Sequence, residues 1–132
     1  YEHVGPTQRR PTIQEIHRVL DRGGILVGQL PNPHFFIEAH SRLPFMGWLP
    51  YSLQKQYWKL SPMSEVWEHD FYVVTVGHLK KVAHSVGFET VEIINFNYPL
   101  EVIPTAMRRY AKLASPLMKV FPWAWQFVFR KL

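Results

Sequence analysis

The segment from Thr12 to Pro33, TIQEIHRVLDRGGILVGQLPNP, constrains this chain most, because it reads as a helix, a Gly-Gly turn and a short apolar strand running into a proline loop. Thr12 and Glu15 have capping-box spacing, Pro11 suits a first helical turn, and Ile13, Ile16, Val19 and Leu20 recur on one apolar face. The helix is expected to end at Arg22, where Gly23 or Gly24 can take the left-handed conformation that stops a helix. Ile25-Leu26-Val27 then runs apolar without alternation, as strands covered on both faces do. The expectation is an α/β fold in which the strand from Ile25 to Leu30 is central and buried on both sides.

The same punctuation continues downstream. Pro31-Asn32-Pro33 forces a turn, because neither proline donates to a ladder and each restricts its predecessor. Residues 34 to 66 then carry His34, Glu38, His40, several aromatics and three prolines, with a short helix expected at Tyr51 to Leu60, and read as a cap inserted over the strand ends. Leu79, Val82, Ala83 and Val86 have the spacing of a helix packed on a sheet, with Gly87 as its stop. Phe88 to Tyr98 reads as a strand between Gly87 and Pro99. Residues 99 to 122 form a helical insert opened by Pro104, and Pro116 predicts two short helices there rather than one. Trp125, Phe127 and Phe129 alternate with Gln126, Val128 and Arg130, the period of a strand with one buried face.

Taken together, YEHV at 1 to 4, EIHRVLDRGG at 15 to 24, ILVGQLPN at 25 to 32 and HLKKVAHSVGFETVEI at 78 to 93 resemble the C-terminal half of a class I S-adenosylmethionine-dependent methyltransferase. The resemblance spans residues 1 to 98 in register, with a divergent insert. It implies a Rossmann-like sheet whose last strand runs antiparallel beside the fifth, S-adenosylmethionine as cofactor, and a substrate pocket shaped by the cap. The family's Gly-rich loop and ribose-binding acid would precede Tyr1, so the resemblance covers half a domain. Weak or absent cofactor binding by these 132 residues alone is the expectation. No glycine pattern in the chain makes a G-x-G turn between a strand and a helix.

Composition narrows the chemistry. A 132-residue chain with 47% hydrophobic and 15% aromatic residues supports one domain with a real core. The absence of cysteine removes disulfides, thiolate metal sites and a cysteine nucleophile. Ser41, Ser52, Ser61 and Ser64 have no G-x-S-x-G elbow around them, which argues against a serine hydrolase. No apolar run approaches the roughly 20 residues of a membrane span, so a cytoplasmic or peripheral location is expected. Through Val102 nine Lys/Arg face ten Asp/Glu, whereas residues 103 to 132 carry six Lys/Arg and no acid.

Four residues are the candidates for catalysis. Glu2 and His3 follow the fourth strand that the resemblance implies, where ligands sit in doubly wound folds. A carboxylate beside an imidazole can take a proton from a substrate hydroxyl or amine, and the resemblance adds that similar pairs ligate a divalent cation in some O-methyltransferases. Glu38 and His40 lie in the cap, where EAHSRLPFMGWLP resembles a segment of bacterial methyltransferases acting on sugars, lipids or small acceptors. His40 is the preferred base, and a helix over 34 to 40 would bring His34 to Glu38. His34, Glu38 and His40 lack the ligand spacing of a zinc site, and no metal is assigned. Glu68-His69-Asp70 offers a second acidic edge, more in the manner of a solvated turn.

The function expected is methyl transfer to a small-molecule, sugar or lipid acceptor. The alternative is a noncatalytic half-domain that self-associates through an exposed sheet edge, or meets a membrane surface through its basic aromatic tail. With no basic stripe and no RNA-binding signature, nucleic acid is disfavoured.

Overall fold

The computed structural model describes residues 1–65, 71–97 and 105–132. Helix α1 (Arg9–Val19) starts earlier than the capping-box spacing predicts. Thr12 lies inside its first turn and its hydroxyl donates to the Gln8 carbonyl at 2.8 Å, while Glu15 pairs with Arg18 instead of folding back. Pro11 fits because first-turn amides have no intrahelical acceptor to lose. The helix stops at Val19 rather than Arg22, and its last carbonyls are closed from a distance: Lys131 Nζ donates to the His17 and Leu20 carbonyls at 2.7 and 2.8 Å. Ile13 is buried, with Ile16 and Leu20 packed beside it, but Val19 faces solvent.

Three strands form one antiparallel sheet: β1 (Ile25–Pro31), β2 (Phe88–Phe96) and β3 (Ala124–Lys131), in the order β1-β3-β2. Because β3 runs antiparallel to both neighbours, β1 and β2 are parallel to each other across it. This matches the expectation that the last strand lies antiparallel beside the segment from Ile25. The register sets Phe127 opposite Gly28, where a Cβ would come within 2.5 Å of the Phe127 ring, so glycine leaves room for the aromatic. Helix α3 (Val76–Val86) has Thr75 accepting the His78 amide at its start and Gly87, at φ +110°, at its end. Ile13, Leu30, Leu79, Ala83, Phe88, Phe127 and Phe129 make the main core between sheet and helices.

One expectation about β1 is overturned. It is an edge strand among the described residues, and alternation rather than full burial describes it: Ile25 and Val27 are exposed while Leu30 is wholly buried. The reason is that α1 and α3 pack against one another over a single face, so residues pointing the other way meet no helix among those described. An unbroken apolar run cannot distinguish the two situations.

Helix α4 (Thr105–Val120) is continuous through Pro116, in place of two helices. Its last turn is held by side-chain amides of β2 and the residue after it: Asn95 donates to the Lys119 carbonyl and Asn97 to the Met118 carbonyl. These bonds keep the turn beyond the proline helical. The expected strand end at Tyr98 and the helix opening at Pro104 lie outside the described residues.

The cap has its own small core of Leu43, Met46, Trp58 and Phe71. It contains a 3-10 turn at Met46–Trp48 and helix α2 (Tyr51–Trp58), which starts where expected and ends two residues short of Leu60. Gly47 presses on the end of β1: a Cβ there would overlap the Pro33 carbonyl. Buried Asn32 completes the junction, donating to the Pro122 carbonyl at 2.8 Å and accepting the His34 amide.

Two substitutions test this account by thermal or denaturant unfolding. Phe129→Ala should cost about 3–5 kcal/mol, the range for a large aromatic removed from a packed core. Gly47→Ala should destabilise by about 1–3 kcal/mol, because backbone blocks the new methyl group and only displacement of the cap relieves it. A neutral result for Gly47→Ala would mean that the cap does not bear on β1.

Candidate active site

The cap loop from Ile37 to Pro44 closes on itself before it builds anything else. Ile37 and Pro44 bridge, the Glu38 amide donates to the Leu43 carbonyl, and the Arg42 amide donates to the Glu38 carbonyl. Arg42 and Phe45 take left-handed backbone to make the loop this tight. The Glu38 side chain is folded inside, where its carboxylate accepts the Ser41 amide at 2.6 Å, the His40 amide at 3.0 Å and His40 Nδ1 at 2.7 Å. Ser61 locks the same loop by donating to the Ser41 carbonyl at 2.6 Å.

This arrangement defines the state of both partners. Burial pushes the Glu38 carboxyl up, but the hydrogen bonds from the His40 ring and the Ser41 and His40 amides outweigh it and hold the group below the ordinary carboxylate range. Glu38 is therefore ionised near neutrality and can only accept. It follows that His40 Nδ1 is the donor, which places the lone pair of the neutral ring on Nε2. The ring is fixed in the other direction too, stacked on Phe71 with centroids 4.8 Å apart and planes 17° from parallel.

His40 Nε2 points at residues from the start of the chain. Glu2 Oε1 lies 3.7 Å from it, and the His3 ring stands edge-on at 5.2 Å. Tyr72 brings the segments together by donating its amide to the Glu2 carbonyl at 2.8 Å, one residue after Phe71. Glu2 is also held below the usual range: burial opposes this, while its own amide and His3 favour the charged form. Glu2 Oε1 is 3.9 Å from His3 Nε2.

All four sequence candidates thus converge, with His3 half-exposed at the mouth and Glu38 innermost. Chemically the cluster can take a proton on His40 and hold the resulting imidazolium between two carboxylates. One ligand atom each from Glu2, His3 and His40 also lie within 4.8 Å of one another, the donor set of a two-histidine, one-carboxylate cation site.

His34 does not join them. Residues 34 to 40 are not helical, and the Asn32 side chain turns the chain at His34 instead. The His34 ring packs edge-on against Trp48, whose indole donates to the His34 carbonyl. Glu38 finds its histidine two residues on rather than four residues back. Glu68, His69 and Asp70 lie outside the described residues. Sequence reasoning missed Phe71 as the surface under the His40 ring, and nothing in a lone Asp-Phe-Tyr string marks it.

The charge of Glu38 should be visible in acid stability. A carboxylate with a depressed folded pKa stabilises the protein above its unfolded value, about 4.3, and loses that contribution as pH falls through the folded value. Near-UV circular dichroism from the cap aromatics should therefore persist through the unfolded carboxylate value and weaken only as pH falls through the depressed folded one. In Glu38→Gln that acid limb should flatten and neutral stability fall by about 1–3 kcal/mol, because three donors lose an ionised acceptor. An unchanged acid limb would place the titrating group elsewhere.

Compared with known proteins, the chain matches no family model, and no curated protein is significantly similar to it.

Proposed function

We propose that the chain serves S-adenosylmethionine-dependent methyl transfer to a small-molecule, sugar or lipid acceptor, with His40 as the group that removes the acceptor proton. The observation that carries this reading is the convergence of Glu38 and His40, from the cap that follows β1, with Glu2 and His3 from the start of the chain. The antiparallel β3 beside β1 supports it, since the resemblance implies that placement for the last strand. Ligands in open α/β sheets gather beyond the carboxyl ends of strands.

Among the described residues no cradle fits the cofactor. Gly28 is filled by the Phe127 ring, Gly47 abuts Pro33, Gly24 abuts the Asp21 carbonyl, Gly23 has positive φ in the turn before β1, Gly87 has positive φ at the end of α3, and Gly5 and Gly77, which have room beside them, belong to no Gly-x-Gly turn. S-adenosylmethionine would supply an electrophilic methyl group; these residues supply the acceptor side. Glu38 orients the His40 ring, Nε2 accepts the proton of the acceptor hydroxyl or amine, and Glu2 stabilises the charge that His40 gains. Removing that proton as the new bond forms avoids a cationic product on the acceptor.

The test is a labelled-methyl assay on the protein expressed from its complete reading frame, against aromatic, sugar and lipid acceptors. His40→Ala should lower turnover by about 10²-fold or more with cofactor affinity nearly unchanged, the size of a general-base contribution. Full turnover in His40→Ala would remove the residue from the mechanism. Absence of both cofactor binding and label transfer would remove the reaction class.

A second reading is a noncatalytic interaction module, and it is favoured by the exposed Ile25 and Val27 on a strand whose outer edge has no partner among the described residues. Sedimentation would show self-association that weakens in Val27→Lys. A monomer at every accessible concentration would sink it.

A further inference from the structure

The basic aromatic tail does not present the surface its sequence suggests. β3 turns Phe127 and Phe129 into the core and leaves Trp123 and Trp125 half-buried. The exposed apolar surface lies on α4 and the cap instead. Leu113, Leu117 and Val120 are 79%, 52% and 84% exposed, and their i, i+4, i+7 spacing sets them on one face of α4. Immediately after the helix, the Phe121 ring packs between 5.6 and 6.4 Å from Phe35, Phe36 and Trp48, which joins that stripe to the cap. There Phe36, Phe45 and Trp48 are themselves 42% to 58% exposed.

Cations predominate in the segments that build this surface. Residues 39 to 64 and 103 to 132 contain lysines and arginines and no acid. Of the two acids that bound the cap stretch, Glu38 is buried and committed to its own loop, while Glu65 is exposed. Exposed Lys112 and Lys119 fall on one flank of the α4 stripe at helical spacing. Aliphatic residues in a row offer nucleic-acid bases nothing to stack on, whereas Leu and Val beside Trp and Phe, ringed by cations, match the boundary between acyl chains and anionic headgroups. No helix among the described residues is long and apolar enough to cross a membrane, so the fitting orientation is in the plane.

We infer that α4 and the aromatic edge of the cap form one docking surface for an anionic lipid bilayer, with Leu113, Leu117 and Val120 entering the acyl boundary and the flanking cations meeting headgroup phosphates. The inference is independent of the methyl-transfer reading. It also gives the candidate site an address, since Trp48 packs on His34 in the same cap that holds His40.

Co-sedimentation with vesicles tests it, using phosphatidylcholine alone and phosphatidylcholine mixed with phosphatidylglycerol. Binding should require the anionic lipid and weaken with added salt. The double variant Leu113→Glu/Leu117→Glu should lose at least about tenfold in lipid affinity, with far-UV circular dichroism and Tm unchanged because both side chains are exposed. Should that variant unfold, Lys112→Gln/Lys119→Gln carries the test, with an expected loss of about fivefold per cation on anionic vesicles. No binding to either vesicle, equal binding by folded variants, or affinity for an acidic protein or nucleic acid without affinity for vesicles would overturn the inference.

Discussion

Everything in the described sheet depends on β3, because every ladder in it has β3 as one partner. β1 and β2 never touch each other directly, so neither is part of a sheet until the C-terminal segment runs back between them. Net hydrogen bonding of about 0.5–1.5 kcal/mol per pair is a modest reason to do so. The larger drive is apolar: Phe129 is fully buried and Phe127 nearly so, and each such ring gains roughly 1.5–3 kcal/mol on leaving water. The end of β3 then sets the boundaries of other elements. Gly23 and Gly24 bond with Lys131, Leu132 bonds with Gly87, and the Lys131 ammonium closes α1.

The candidate site is a consequence of how the chain leaves β1. Asn32 fixes the exit by bonding to both Trp123 and Pro122 around β3, and Gly47 lets the cap settle on Pro33. With the cap docked, the segment after residue 70 can serve two masters: Tyr72 holds Glu2 by its backbone, and Phe71 holds the His40 ring by stacking. Glu2 and His40 are 38 positions apart in sequence and meet only through this segment. Pre-organisation of this kind is what proton transfer requires, since a ring free to rotate would spend little time aimed at an acceptor.

Elements with a local cause were legible in the sequence. Gly87 ends α3 because a left-handed residue is needed there, and the alternation of Phe127 and Phe129 forecast the buried face of β3. Features with a distant cause were not. The end of α1 at Val19 depends on Lys131, a residue that reads as a solvated terminus, and the continuity of α4 through Pro116 depends on Asn95 and Asn97. The apolar run in β1 announced burial without saying on how many faces. For the site, residue types were a good guide and spacing a poor one: Glu38 and His40 pair through a tight loop, where a helical offset would have matched Glu38 with His34.

The same loop links the chemistry of the cap to its surface charge. Glu38 and Glu65 bound a long stretch of cap that has only cations, and of the two Glu38 is the one drawn out of solvent. By drawing the Glu38 carboxylate inside and satisfying it with two amides and an imidazole, the fold uses one negative charge to orient His40 and withholds it from solvent. One of the two acids that flank the basic stretch is thereby withheld from its surface. Protonating Glu38 would thus act on both: the ring would lose its anchor, and the donors released from the carboxylate would have to find water, which a buried loop of this tightness can reach only by opening. Orientation of the base and integrity of the apolar edge at Phe36 and Phe45, which bracket the loop, are therefore one equilibrium rather than two.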